Sequence, residues 1–204
     1  MKKIIVEPIS YEIIKPWILK KHYALRMPSI SYSFGMFNED NELVGVISYG
    51  TPASPYLCIG VCGQEYKEQV IELNRLVVDE GTPSFLISQS LKMIPRPKIV
   101  VSYADCDMGH IGYVYQASNW VYTGKTKERT DVFAGEGCHA RHHKGDLSIR
   151  QPRSAKHRYI YFLGSKTDKK LMRKALKYPI LSYPKGDIER YDSSAKISKQ
   201  MLLL

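Results

Sequence analysis

No run of eighteen apolar residues occurs in the 204-residue chain, so the sequence offers no membrane-spanning helix. The opening Met-Lys-Lys-Ile-Ile-Val-Glu-Pro starts as an export signal does, but its apolar run meets Glu7 after three residues, and no signal is expected. Cysteine is scarce: four residues, at 58, 62, 106 and 138, none in a spacing that reliably holds zinc. Without a secretory signal they read as reduced thiols in a cytoplasm. Cys58 and Cys62 are separated by three residues, and Cys138-His139 with His142 and His143 is the one cluster that could gather a metal. Internal repeats are absent. Acidic residues are also short, 20 against 30 Lys and Arg, which leaves a net charge of +10 and a pI near 9.3.

What is present is enough for one domain over residues 1–204 with a core that needs no disulfides. Its basic balance points to a polyanionic partner, nucleic acid first, against the blander alternative of a lysine-rich soluble surface. The distribution favours a binding face. Lys125 to Arg158 holds nine Lys or Arg against four acids, and four of the six histidines. A second basic run follows from Lys166 to Lys177.

Residues 2–9 read as a strand. Ser10 can cap a helix over 11–22 with apolar positions at Ile14, Trp17 and Ile18, and Pro16 either kinks it or marks its true start. Residues 33–37 and 43–49 form a hairpin, and 51–55 a loop. VIELNRLVV (70–78) is a strand; Thr82 caps and Pro83 begins a helix whose apolar face runs to Met93. Ile99 to Tyr103 is a buried strand. A helix from about Met108 to Ser118, capped by Asp107, leads into a strand at Trp120 to Tyr122. Residues 125–156 are an irregular basic insertion, His157 to Leu163 the last strand, and Lys169 to Leu176 a short basic helix. The stretch after Pro184, 185–204, is polar and reads as a loose tail. The order predicts an α/β fold, a mixed central sheet flanked by helices, with the basic loop inserted before the last strand.

That order, with ELNRLVV and GYVYQASNWVYTG (112–124), resembles the GNAT N-acetyltransferases. A closer similarity, carried by KHYALRMPSI (21–30), ELNRLVV (72–78), SYADCDMGHIGYVYQASNWVYTG (102–124) and SAKHRYIYFLG (154–164), is to the Mom-type DNA-modification proteins of bacteriophages. The GNAT resemblance implies a strand whose splayed backbone, ending at Val77 and Val78, receives the donor arm. The next helix, from Thr82, would offer N–H groups to a pyrophosphate, and Tyr115 would stand at the general-acid position. The Mom resemblance implies conversion of adenine in double-stranded phage DNA to its N6-carbamoylmethyl (acetamido) form, which blocks host restriction. One departure matters. The GNAT phosphate loop Q/R-x-x-G-x-G/A reads Asp79-Glu80-Gly81-Thr82-Pro83-Ser84-Phe85 here. Two acids repel a pyrophosphate, so acetyl-CoA is in doubt and another small acyl or glycyl donor stays open.

The candidate residues follow. His22, Tyr23 and Arg26 match the family's HY-x-x-R element over a cleft; the alternative is a basic helix C-terminus. Glu72 and Asn74 alternate onto one face of their strand and Arg75 onto the other. Arg75 would bind a phosphate or the donor carbonyl, or else pair with Asp105. Ser84 and Ser88, one turn apart, would donate to the donor group or merely face water. Asp105, beyond a strand's C-terminus, is the candidate base or amine-orienting acceptor for the poorly nucleophilic adenine amine, with helix capping as its alternative. His110 and Tyr113 share a helix face, and Tyr115 is either a core aromatic or the proton donor to the leaving group. Arg141, Lys144, Arg150 and Arg153 would grip phosphates without reading sequence. Extruding the base calls for an aromatic wall, with Trp17, Tyr23 and Tyr103 as candidates. The competing expectations are a GNAT acetyltransferase acting on a protein or small amine, and a non-enzymatic nucleic-acid binder on the same scaffold.

Overall fold

The computed structural model describes residues 4–133 and 148–186. The elements run β1 (Ile5–Pro8), α1 (Tyr11–Lys21), β2 (Tyr32–Phe37), β3 (Leu43–Gly50), α2 (Pro55–Cys62), β4 (Val70–Val78), α3 (Pro83–Met93), β5 (Lys98–Asp105), α4 (Tyr113–Ala117), β6 (Val121–Lys125), β7 (Arg129–Val132), β8 (Arg150–Arg153), β9 (Lys156–Leu163) and α5 (Lys166–Ala175). Seven strands make one mixed sheet in the order β1-β2-β3-β4-β5-β9-β6. Every pairing is antiparallel except β4 with β5. Among the described residues no helix is long and apolar enough to cross a membrane.

The sheet is sandwiched. On one face Leu86, Ile87 and Leu91 of α3 and Tyr115 of α4 pack on Ile47, Leu73 and Val100. On the other, Ile14 and Ile18 of α1 cover Val46 and Val77, while Val61 and Cys62 of α2 and Met172 of α5 cover Val70, Ile99 and Ile160. Burying these aliphatic side chains, each worth roughly 1.5–3 kcal/mol, is the main stabilising term. Helix α5 is held at its start by a reciprocal capping box between Ser165 and Asp168.

The structure departs from the sequence expectations in four places. The apolar stretch PYLCIGVC, unassigned from its pattern, is helix α2; an all-round apolar octapeptide has no period to detect. The helix expected over 108–118 is broken. Asp105 instead caps a short 3₁₀ turn, Cys106–Met108, and α4 begins only at Tyr113, so His110 lies outside it. Gly109 and Gly112 cause the break with φ of 66° and 80°, and a Cβ on Gly112 would stand 2.3 Å from the Tyr159 ring. The basic insertion is not irregular at its base: β7 and β8 pair as a two-stranded antiparallel ribbon. At Pro16 the structure chooses between the two alternatives and is no departure: the proline sits inside α1 and does not start it.

The fourth departure shapes the site. Ser48 pairs with Arg75 but Tyr49 pairs with Leu73, so Asn74 is an extra residue bulged out of β4. A bulge resets alternation. Ile71 and Leu73 face α3 before it, and Leu76 and Val78 face α3 after it. Glu72, Asn74 and Arg75 therefore share the opposite face, against the expected separation of Arg75 from the other two.

Candidate active site

β4 and β5 pair for only three residues, Val70–Ile99 to Glu72–Val101, and then part. Beyond that fork the facing edges of Leu73–Val78 and Ser102–Asp105 are unpaired with each other. The fork is bridged by one side chain. Ser102 Oγ lies 2.9 Å from the Leu73 carbonyl oxygen and 2.8 Å from the Tyr115 hydroxyl. A serine has one proton, so Ser102 donates to Leu73 and Tyr115 donates to Ser102. Burial raises the Tyr115 phenol to about 12, against the opposing effect of the Ser102 bond, so it stays protonated near neutral pH.

The α1–α2 side of the fork is charged. Asp105 is 1% exposed and ion-pairs with Lys156. Its Oδ1 also accepts from Ser154 Oγ at 2.5 Å and from the Asp107 N–H at 3.2 Å. A carboxylate has about four acceptor sites, so one is left for a further donor. Arg75 does not pair with Asp105. Its guanidinium donates to the carbonyl oxygens of Arg26 (3.0 and 3.3 Å) and Asn74 (2.6 Å), and burial pushes its pKa down to about 10. Glu72 is raised above the usual carboxylate range by burial, although Arg75, Arg153, Lys156 and the Ala53 N–H oppose that shift.

His22 and Tyr23 close this side from the end of α1. Their rings stack at 4.3 Å, and His110 meets Tyr23 edge-on at 6.2 Å. His22 Nδ1 accepts from the Ala24 N–H at 3.0 Å, which assigns the ring proton to Nε2. Burial first, then the charges of Arg75, His110, Lys156 and Arg26, hold its pKa well below the ordinary histidine value. His22 is thus a neutral N–H donor. Burial and then Asp105 raise the Tyr23 phenol, which also feels Tyr115. Leu25 in this loop holds φ at 43°, a left-handed conformation uncommon for leucine.

The expected residues are therefore divided between two compartments. His22, Tyr23, Arg26, Glu72, Arg75 and Asp105 gather on the α1–α2 side. Tyr115 lies on the α3–α4 side, with no hydrogen bond to Asp105, and Tyr23 is within electrostatic reach of both. Ser84 and Ser88 line a cavity of about 490 Å³ on that second side, between α3 and the α4–β6 turn, with Phe85, Lys92, Asn119 and Tyr161. Val77 is packed under α1, while Val78 packs toward α3. Thr82 caps α3 without a side-chain bond.

Arg150 and Arg153 stand on the ribbon. Arg150 donates to Thr130 at 3.0 Å through its side-chain and backbone oxygens, and Arg153 pairs with Asp131 at 2.6 Å. Arg141, Lys144 and the Cys138/His139/His142/His143 cluster lie outside the described residues. Cys58, Cys62 and Cys106 are free thiols. Of the aromatic-wall candidates, Trp17 packs in the α1 cluster beneath the Lys21 ammonium, 4.0 Å from its ring. Tyr103, half-buried, feels Glu72 and Arg153 and remains at the cleft.

Four residues of the site escape sequence reasoning, Ser102 and Ser154 among them without any local signal. Lys156 was read only as general basic charge, and Glu72 was noticed but given no role. A lone acid within an apolar strand was the available signal for Glu72; nothing local marked Lys156 as the partner of a residue fifty-one positions away.

The Mom protein family model matches residues 3–185. The methylcarbamoylase Mom of Escherichia phage Mu is 32% identical over 207 aligned positions, which cover 90% of this chain and 85% of that protein. Among solved structures, Arabidopsis thaliana NAA60 in complex with acetyl-CoA superposes with a TM-score of 0.51 at 14% identity, over 79% of this chain and 99% of that one. An N-acetyltransferase from Staphylococcus aureus gives 0.47 at 12% identity, over 79% and 98%. The fold is that of the GNAT acetyltransferases.

Proposed function

The chain belongs to the Mom protein family, and from that premise we propose that it modifies adenine in double-stranded DNA, attaching a carbamoylmethyl (acetamido) group to N6. It is a transferase. The observation that carries the reading is the fork in the sheet, with a charged compartment on its α1–α2 face and, farther along the α3–α4 face, a cavity lined by Ser84, Ser88, Lys92 and Arg96. A two-substrate transfer needs this: each reactant enters from its own side, and the bond forms where they meet.

The adenine enters the charged side. Reaching N6 requires the base to leave the stack, and Tyr23 with Tyr103 supplies aromatic walls. Asp105, already fixed by Lys156 and Ser154, accepts from the exocyclic amine with its remaining site and aligns it. Glu72, its proton affinity raised by burial, takes the amine proton as N6 bonds to the transferred carbon. The neutral His22 N–H and the Arg75 guanidinium stabilise charge developing on the donor. Tyr115 gives its hydroxyl proton to the leaving group, letting go of Ser102 Oγ, and takes one back from water once the products leave.

The donor lies along the open edge of β4 toward Val78 and reaches Ser84 and Ser88. The residues present are a poor cradle for a pyrophosphate such as that of acetyl-CoA. Pro83 has no N–H, and those of Phe85 and Leu86 donate to the Thr82 carbonyl oxygen, so the first turn of α3 leaves only the Ser84 N–H. Asp79 is less of an obstacle than its charge suggests, because Lys21 pairs with it. The cavity beside α3 nevertheless carries Lys92 and Arg96, cations that suit phosphates. The donor must carry its leaving group on the methylene carbon that N6 attacks, since direct acyl transfer would leave a carbonyl on N6. Duplex DNA is held by Arg26 and the ribbon cations Arg150 and Arg153, with Arg141 and Lys144 of the same insertion as further contacts. The setting is the cytoplasm of a phage-infected bacterium, where modified phage DNA resists host restriction.

The test is expression of the chain in bacteria, nuclease digestion of plasmid DNA and mass spectrometry of the nucleosides. An adenosine heavier by the carbamoylmethyl group is expected. Unmodified adenosine from cells making folded protein overturns the assignment.

A further inference from the structure

Tyr56 is 86% exposed, the most exposed of the large hydrophobic side chains among the described residues. Tyrosine usually buries most of its ring, and no folding contact accounts for leaving this one in water. Its mount is rigid. Pro52 is buried, and the Leu57 N–H donates to the Ser54 carbonyl oxygen at 3.0 Å. Pro55 starts α2 with a fixed φ, and Leu57 and Cys58 pack in one cluster with Tyr103. Tyr103 shares its strand face with Asp105, so α2 sits beside the charged compartment and carries the Tyr56 ring in solvent there. The Glu72 carboxylate of that compartment feels Arg75, Arg153 and Lys156, a cationic setting suited to phosphates.

We propose that Tyr56 is a wedge that enters the duplex and stacks in the gap left by the extruded adenine. This rests on the DNA-modifying reading above. Unstacking a base costs a few kcal/mol, and an aromatic ring inserted at the vacated step recovers part of that cost whatever the neighbouring bases are. The phenol hydroxyl can also meet the polar edge of the widowed thymine. Tyr56 touches no reacting atom; it positions the substrate by holding the open duplex.

Two readouts test it. Plasmid DNA from cells expressing Tyr56→Ala should carry roughly tenfold less modified adenosine or lower than wild type, whereas Tyr56→Trp keeps most of the modification. The melting temperature of Tyr56→Ala should match wild type. Purified wild-type protein should raise the fluorescence of duplexes carrying 2-aminopurine in place of adenine, and Tyr56→Ala should not. Wild-type levels of modification in Tyr56→Ala overturn the wedge. If wild type leaves nucleosides unmodified yet raises the fluorescence through Tyr56, the wedge stands and the transfer reaction falls. With neither signal, both fall.

Discussion

On the α3–α4 side of the fork, Tyr115, Trp120, Tyr122 and Tyr159 lie in a tilted ring cluster with centroids 5.1–5.2 Å apart. On the α1–α2 side, Glu72, Arg75, Asp105, His22 and Tyr23 gather around the fork. Both are rich in polar side chains, yet they use them differently. In the ring cluster Tyr159 donates to the Ile111 carbonyl at 2.5 Å, Tyr122 meets His157 Nδ1 at 2.9 Å, and Tyr115 meets Ser102. Only Trp120 Nε1 is a buried side-chain atom without a partner among the described residues. In the cleft, burial pushes His22 and Arg75 down and Glu72 up, each toward its neutral form, and the fold retains them. Satisfied polar groups stabilise a core; groups held out of their comfortable charge state mark a place prepared for a substrate.

Substitutions can break or sharpen that contrast. The largest effect is expected at Asp105→Asn, which removes the acceptor for the amine and leaves the Lys156 ammonium unpaired. Modified adenosine should fall by roughly a thousandfold, stability by about 3 kcal/mol, and retention on a DNA column should survive. Glu72→Gln comes next. Burial raises the Glu72 carboxyl in the folded state, so the folded chain binds its proton more tightly than the unfolded one does. Stability from that group is present at low pH and declines as pH rises through the unfolded and then the folded value. The glutamine variant should therefore melt higher than wild type at neutral pH, lose that advantage in acid, and modify DNA on the order of a hundredfold less. A variant that melts lower at neutral pH would place Glu72 among structural groups.

Smaller effects separate the two tyrosines. Tyr115→Phe should lower modification about tenfold or more by removing the proton donor. Tyr122→Phe orphans His157 Nδ1, costs about 1–3 kcal/mol and should leave modification per folded molecule unchanged. Equal losses of activity would erase the distinction drawn between these two tyrosines of the ring cluster. Smallest is the ribbon: Arg153→Ala should weaken DNA retention uniformly across sequences and reduce the salt slope by roughly 1. An unchanged slope would move the DNA-binding face elsewhere.

Much of the sheet was legible because its signals are local. The alternating HRYIYFL, the apolar VIELNRLVV and the Thr-Pro pair before α3 each act within a few residues. Asn74 defeated the strand argument, since a bulge is created by register with β3 and leaves no mark in the alternation itself. The ribbon of β7 and β8 escaped for a similar reason, being polar on both faces with its partners about twenty residues apart. Type and motif named Asp105, Tyr23, Arg75 and His22 as candidates, and the structure gathers them on one side of the fork; the alternative of an Arg75–Asp105 ion pair gives way to one between Asp105 and Lys156 on another strand.

The sequence by itself determined most of the strands of the large sheet and the helices α1, α3 and α5. The break in the helix expected over 108–118 came from the structure, where glycines at 109 and 112 take left-handed angles other residues resist. Tertiary structure alone decided that β4 and β5 separate after three pairs, that Glu72 and Arg75 face one way, and which of many ionisable groups lose their water. Desolvation and charge coupling depend on everything within a few ångströms, and in this chain those neighbours come from residues tens of positions apart.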